Sequence, residues 1–224
     1  MKTKLQIISF IIFTTLIYSE KIVHMNGTYD IDGDKMLEFI ALELNPGKDV
    51  FPTSVRYYEI DGDGYQNLIW EFSPPVALEG EVVDAKVGDL NGDGSPELIL
   101  VMNLTRFGDN ATPHVFIATY DWDNTHFAEI PSASIDIGKA NKSLRCNNVQ
   151  LIDQDADGDQ EIMLSLGSPF RGFTIVNSSQ DGLSVVKKVR PDELLIGSGL
   201  LYTGKIDYDN DGYDDVIAIS PDGD

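Results

Sequence analysis

The chain has 224 residues, 42% of them hydrophobic, enough apolar material for a real core in one large domain or two small ones. Lys and Arg total 16 against 37 Asp and Glu, a formal net charge of -21, so nucleic-acid or anionic-lipid phosphates would be repelled and a nucleic-acid partner is excluded as an expectation. The only cysteine, Cys146, rules out an intrachain disulfide, so stability has to come from packing or bound metal, and Cys146 itself reads as a small buried apolar residue.

At the N-terminus, Met1-Lys2-Thr3-Lys4 precedes an uncharged apolar stretch from Leu5 to Tyr18 and then Ser19-Glu20. A charged start, a short apolar run and a small residue near its end read as a secretory signal over residues 1–19, in preference to an uncleaved anchor. No later segment is long and apolar enough to span a membrane, so a secreted protein, extracellular or periplasmic, is expected, with no membrane span once the signal is removed. Asn26, Asn103, Asn110, Asn141 and Asn177 head glycosylation sequons; Asn103 ends an apolar run expected to be a packed strand, which speaks against its use.

From residue 20 onward one acidic segment recurs four times without gaps. Asp30-Ile-Asp-Gly-Asp-Lys-Met-Leu-Glu38 runs into Phe-Ile-Ala-Leu, and Asp89-Leu-Asn-Gly-Asp-Gly-Ser-Pro-Glu97 into Leu-Ile-Leu-Val. Asp153-Gln-Asp-Ala-Asp-Gly-Asp-Gln-Glu161 runs into Ile-Met-Leu-Ser-Leu, and Asp207-Tyr-Asp-Asn-Asp-Gly-Tyr-Asp-Asp215 into Val-Ile-Ala-Ile. The starts lie 59, 64 and 54 residues apart, a spacing that suits one four-stranded sheet per unit.

The rest of each unit also reads as strands. In the first, Ser54–Tyr58 and Asn67–Phe72 flank a glycine-containing turn; in the second, Val115–Tyr120 and His126–Ile130 flank Asp121-Trp-Asp-Asn-Thr; in the third, Phe173–Val176 and Leu183–Val189 flank a polar turn. Helices are expected to be few, because no window shows a capped apolar stripe of period 3.6. The strands entered from the acidic loops are continuously apolar rather than alternating, which means burial on both faces. A strand near the axis of a propeller, held between adjacent blades, has that environment.

Positions 1, 3 and 5 of each loop carry Asp, or Asn once, with an acid at position 9. Carboxylates crowded to ~4 Å cost roughly 1 kcal/mol per pair in water and about 4 kcal/mol at an effective dielectric of 20. A cation removes that cost, whereas metal-free acidic turns, the competing reading, leave four matched copies unexplained. The donors are all oxygen, and six to eight flexible oxygens suit Ca2+ better than Mg2+. The expected ligands are therefore Asp30, Asp32, Asp34 and Glu38; Asp89, Asn91, Asp93 and Glu97; Asp153, Asp155, Asp157 and Glu161; and Asp207, Asp209, Asp211 and Asp215. The main-chain carbonyl of position 7, Met36, Ser95, Asp159 or Tyr213, is an added ligand, giving up to four calcium sites. The first loop is the weakest, since Lys35 stands where glycine is the better turn residue. An EF-hand or dockerin loop needs its bidentate acid at position 12, which here is Ala41, Leu100, Leu164 and Ala218.

These loops resemble the FG-GAP/VCBS repeat family, calcium-loop β-propellers that include the head of integrin alpha subunits. The resemblance covers about residues 24–224 and implies an all-β, propeller-like stack of four-stranded antiparallel blades in which the metal loop joins two strands and serves structure. The Phe-Gly and Gly-Ala-Pro motifs of the integrin repeats do not recur, Phe107-Gly108 standing alone, so integrin-type adhesion is not implied. With about three blades and the start of a fourth over residues 20–224, an incomplete propeller is expected.

Glu59-Ile-Asp-Gly-Asp-Gly-Tyr-Gln-Asn67 imitates the metal loops, but it falls in the phase of Asp121-Trp-Asp123 and Gln180-Asp-Gly182 and is expected to be a hairpin turn. His24, His114 and His126 sit in unlike contexts, and no nucleophile motif is present, so no catalytic residue is assigned. Trp70 reads as blade packing; Trp122, in an expected turn, is the better candidate for a ligand contact. The first functional expectation is a noncatalytic calcium-binding module for a protein or glycan ligand. The second is the propeller part of a larger secreted enzyme, for instance one that degrades polysaccharide.

Overall fold

The computed structural model describes residues 21–44, 54–73, 78–106, 114–137, 144–167, 172–189, 202–213 and 215–219. The expected signal over 1–19 and the sequons at Asn110 and Asn141 lie outside these residues. Among the described residues every regular element is a strand. Strands β1 (Lys21–Tyr29), β2 (Leu37–Leu44), β3 (Ser54–Ile60) and β4 (Gln66–Phe72) form one antiparallel meander. A second contains β5 (Leu78–Gly88), β6 (Glu97–Arg106), β7 (His114–Asp121) and β8 (Ala133–Ile137). A third contains β9 (Cys146–Ile152), β10 (Glu161–Leu166), β11 (Gly172–Ser179) and β12 (Gly182–Val189), and β13 (Tyr202–Ile206) pairs with β14 (Asp215–Ile219) in a two-stranded sheet. The three four-stranded blades stand in an open arrangement, each acidic loop joining the first strand of its sheet to the second.

Alternation along a strand explains why the post-loop segments are apolar throughout. In β6, Leu98, Leu100, Met102 and Leu104 face the first blade and pack with Ile40, Leu42, Val55, Tyr57 and Trp70. The intervening Ile99 and Val101 face the third blade and pack with Cys146, Val149, Ile162, Leu164 and Val176. A strand with period-2 side chains and a blade on either side has no solvent face, so Leu98 to Met102 are apolar without a break. Burying each such Leu or Ile is worth roughly 1.5–3 kcal/mol. In β10, Met163 turns the other way from Ile162 and Leu164 and joins Ile152, Phe173 and Ile175 in a separate cluster. Cys146 is buried in the second cluster, and burial pushes its thiol up to about 12, so it behaves as an apolar residue.

The post-loop strands are second in their sheets, and β6, as expected, lies between the first and third blades. Two other sequence expectations are corrected. His126–Ile130 is not the outer strand of the second blade, which is β8, Ala133–Ile137. The reason is tertiary: Phe127 is drawn fully into the interface with the first blade, its ring 5.1 Å from Tyr57 and 6.2 Å from Trp70. Trp70 Nε1 donates to the Ala128 carbonyl at 3.2 Å, the Ala128 N–H returns to Asp121 O, and the chain regains the sheet edge only afterwards, leaving Ile130 exposed. Trp122, expected as an exposed ligand contact, packs on the same cluster, 5.0 Å from Phe127 and 6.1 Å from Tyr57.

Candidate metal centres

The four loops share one hydrogen-bond scheme. The carboxylate at position 9, the first residue or nearly the first of the second strand, accepts the N–H of position 2. These bonds are Ile31 to Glu38 at 3.1 Å, Leu90 to Glu97 at 2.8 Å, Gln154 to Glu161 at 2.9 Å and Tyr208 to Asp215 at 2.9 Å. The carboxylate at position 1 accepts the N–H of position 6, from Lys35, Gly94, Gly158 or Gly212. The carboxylate at position 5 accepts the N–H of position 7, from Met36, Ser95, Asp159 or Tyr213, at 2.7 to 2.9 Å. A chain that bonds back to its own side chains in this way must reverse direction twice, and positions 4 and 6 are left-handed in every copy. Position 4 is Gly33, Gly92, Ala156 or Asn210, and position 6 is Lys35 (φ 73), Gly94, Gly158 or Gly212. Lys35 therefore adopts a conformation that costs an L-residue roughly 1–2 kcal/mol.

Carboxylate oxygens converge to within 4.8 Å of one another in each loop: Asp30, Asp32, Asp34 and Glu38; Asp89, Asp93 and Glu97; Asp153, Asp155 and Glu161; Asp207, Asp209 and Asp215. Asp157 and Asp211, expected at position 5, stand outside the convergent carboxylates of their loops, each holding the N–H of position 7. Asn91 fills its place in the second loop by accepting the Asp93 N–H and donating to Glu97 Oε1 at 2.9 Å.

The electrostatics are those of crowded anions. Burial, followed by the charges of Asp32 and Asp30, pushes Glu38 up to about 7, against the opposing Ile31 hydrogen bond. Burial, with Asp89, Asp93 and Asp121, pushes Glu97 up to about 7. Glu161 is raised by burial and by Asp155, Asp157 and Asp153. In the second loop Asp89 Oδ1 is buried without a hydrogen-bond partner, on a residue whose carboxylate converges with those of Asp93 and Glu97. All-oxygen donors, converging geometry and an unsatisfied buried acceptor together fit a hard divalent cation.

The imitation loop is the β3–β4 hairpin turn. The Asp61 N–H bonds Tyr65 O at 2.9 Å, the Gly64 N–H bonds Asp61 O, and Asp61 Oδ1 takes the N–H groups of Asp63 and Tyr65. Of its residues only Gly64 is left-handed, and its carboxylates do not converge.

One polar cluster has no signal in the sequence. Asp84, on β5, is almost fully buried and meets Lys86 at 3.2 Å and His24 of β1 at 3.8 Å, while Asn26 Nδ2 donates both to Asp84 and, at 2.7 Å, to Ala85 O. Its members lie some 60 residues apart, and it pins the first strands of two blades together. His114 pairs instead with Asp136, and His126 with Asp123, so the three histidines serve three separate contacts.

Residues 30–100 match the model of the FG-GAP-like repeat. That stretch runs from the first acidic loop through the first blade to the middle of β6, taking in two of the four loops. Beyond it, the same arrangement of an acidic loop joining the first two strands of an antiparallel sheet recurs twice more among the described residues. The crystal structure of rhamnogalacturonan lyase YesW at 1.40 Å resolution superposes on 89% of this chain with a TM-score of 0.54 and 17% sequence identity, which establishes a shared propeller-like fold. The match spans 41% of that chain, so this protein covers well under half the length of the lyase. No curated protein sequence matches the chain.

Proposed function

We propose that this FG-GAP-like propeller module binds calcium at its four acidic loops, in an exported protein, and that the metal is structural rather than catalytic. The observation that carries the reading is the fourfold repetition of one carboxylate geometry, with a buried, unpartnered oxygen at Asp89 in the second loop. Asp30, Asp32, Asp34 and Glu38, and the converging carboxylates of the other loops, would hold the ion, with the main-chain carbonyls of Met36, Ser95, Asp159 and Tyr213 completing the shell. Bound calcium would neutralise the clustered charge. The chain's own contribution is a loop whose N–H groups already hold the carboxylates in place. Export is supported by the N-terminal sequence, and the partner is a protein or a glycan bound by the module's loops.

Thermal unfolding in excess calcium and in excess chelator tests this. Calcium at 100 times its Kd stabilises the native state by about 2.7 kcal/mol per site, so chelation should lower Tm clearly. An unchanged Tm would refute the calcium reading.

The likeness to part of a rhamnogalacturonan lyase favours a second reading, in which the module belongs to a polysaccharide-degrading enzyme. Incubation of the protein, in its natural full-length form, with rhamnogalacturonan, followed by chromatography of the products, tests it; intact polysaccharide counts against this reading.

A further inference from the structure

The second and third acidic loops touch each other, and one carboxylate stands between them. Asp159, at position 7 of the third loop, lies over Gly92 of the second, where any side chain on Gly92 would collide with its carboxylate. Its neighbour Gln160 donates its N–H to the Asp89 carbonyl at 3.2 Å, and the Gln160 side chain covers Gly88 so closely that a Cβ there would also collide. Loop three is thus clamped by main chain and side chain onto loop two, across the boundary between blades. The junction of the first two loops is built differently. Ile31 and Asp32 face Asp93, Gly94, Ser95 and Pro96 across an open cavity of about 250 Å³, and position 7 on that side is a serine. Among the four loops only the third has an acid at position 7; the others have Met36, Ser95 and Tyr213.

We infer that Asp159 supplies negative charge to the second loop's cation site from the neighbouring blade, so that loop two holds its metal with help from a residue of loop three. This rests on the calcium reading above. The second loop has need of it: Asn91 replaces an acid there, so it alone of the four loops has three rather than four acids at positions 1, 3, 5 and 9. The Asp159 side chain is free for this duty, because its own loop uses the main chain at position 7 and its N–H is already bound to Asp157 at 2.9 Å.

Calcium titration of the 15N-labelled protein tests this, with the amides of Gly94, Gly158 and Gly212 reporting loops two, three and four separately. Asp159→Asn keeps the shape and the main-chain carbonyl but removes the charge. The Gly94 midpoint should rise by about 3- to 10-fold, as expected for one charge lost at close range, while that of Gly212 stays unchanged. Asp157→Asn, which removes a charge from loop three that is not in contact with Gly92, should move the Gly158 midpoint and leave Gly94 within about twofold. An unmoved Gly94 midpoint in Asp159→Asn, or an equal shift in both variants, overturns the inference while leaving calcium binding intact. Wild-type amides that do not respond to calcium overturn both.

Discussion

Without metal, this protein should be less stable at neutral pH than in mild acid. Glu38 and Glu97 are 2% and 5% exposed, and each is pushed up to about 7 from an ordinary value of 4.5. A carboxyl with a raised folded-state pKa favours the native state below its unfolded value and loses that contribution as pH climbs through the folded one, here from about 4.5 to 7. At 1.36 kcal/mol per pH unit the loss between pH 5 and 7.5 is roughly 2 kcal/mol per residue. Both side chains border water-exposed loops, and screening reduces the pair to about 2 kcal/mol in total. Glu161 is displaced in the same direction and adds to the slope. Calcium requires the ionised form, so in saturating calcium the slope should vanish or reverse, and calcium should stabilise more at pH 7.5 than at pH 5. Urea melts at the two pH values, in chelator and in calcium, measure all four quantities. Metal-free stability that is level or rises from pH 5 to 7.5 would refute the account of these loops as charge-crowded and cation-requiring.

Other substitutions probe separate parts of the structure. Asp61→Ala with Asp63→Ala should leave the calorimetric calcium stoichiometry unchanged, because that segment is a hairpin turn, whereas Asp155→Ala with Asp157→Ala should remove one ion. Leu100→Ala, at a fully buried position facing the first blade, should cost about 2–5 kcal/mol in denaturant unfolding, and a loss under 1 kcal/mol would contradict the packing described. Lys35→Gly should stabilise the protein by about 0.5–1 kcal/mol by relieving the left-handed conformation, while Lys35→Ala should not; equal effects would show that charge and not backbone is at issue.

The sequence by itself determined the blade count over this stretch, the loop positions and the chemistry each loop offers. Those features are local: nine contiguous residues carry nearly every donor of a site, and a strand buried on two faces must be apolar at every position, as Phe39 to Leu42 and Leu98 to Val101 are. Even the hairpin identity of Glu59 to Asn67 followed from its phase in the repeat. The conformations of Ala156 and Asn210 were less legible, because neither is glycine, although equivalence to Gly33 and Gly92 in the repeat was available as a signal. What the tertiary structure alone decided lies at the blade boundaries. Phe127 has the local pattern of a strand residue, yet the aromatic pocket of Tyr57, Trp70 and Trp122 holds it out of the sheet and moves the outer strand from the expected His126 start to Ala133. His24, Asn26 and Asp84 meet across about 60 residues of chain, and Asp159 reaches Gly92 across about as many. Contacts of this kind depend on how one blade is set against the next, and no periodicity within a single blade encodes that setting.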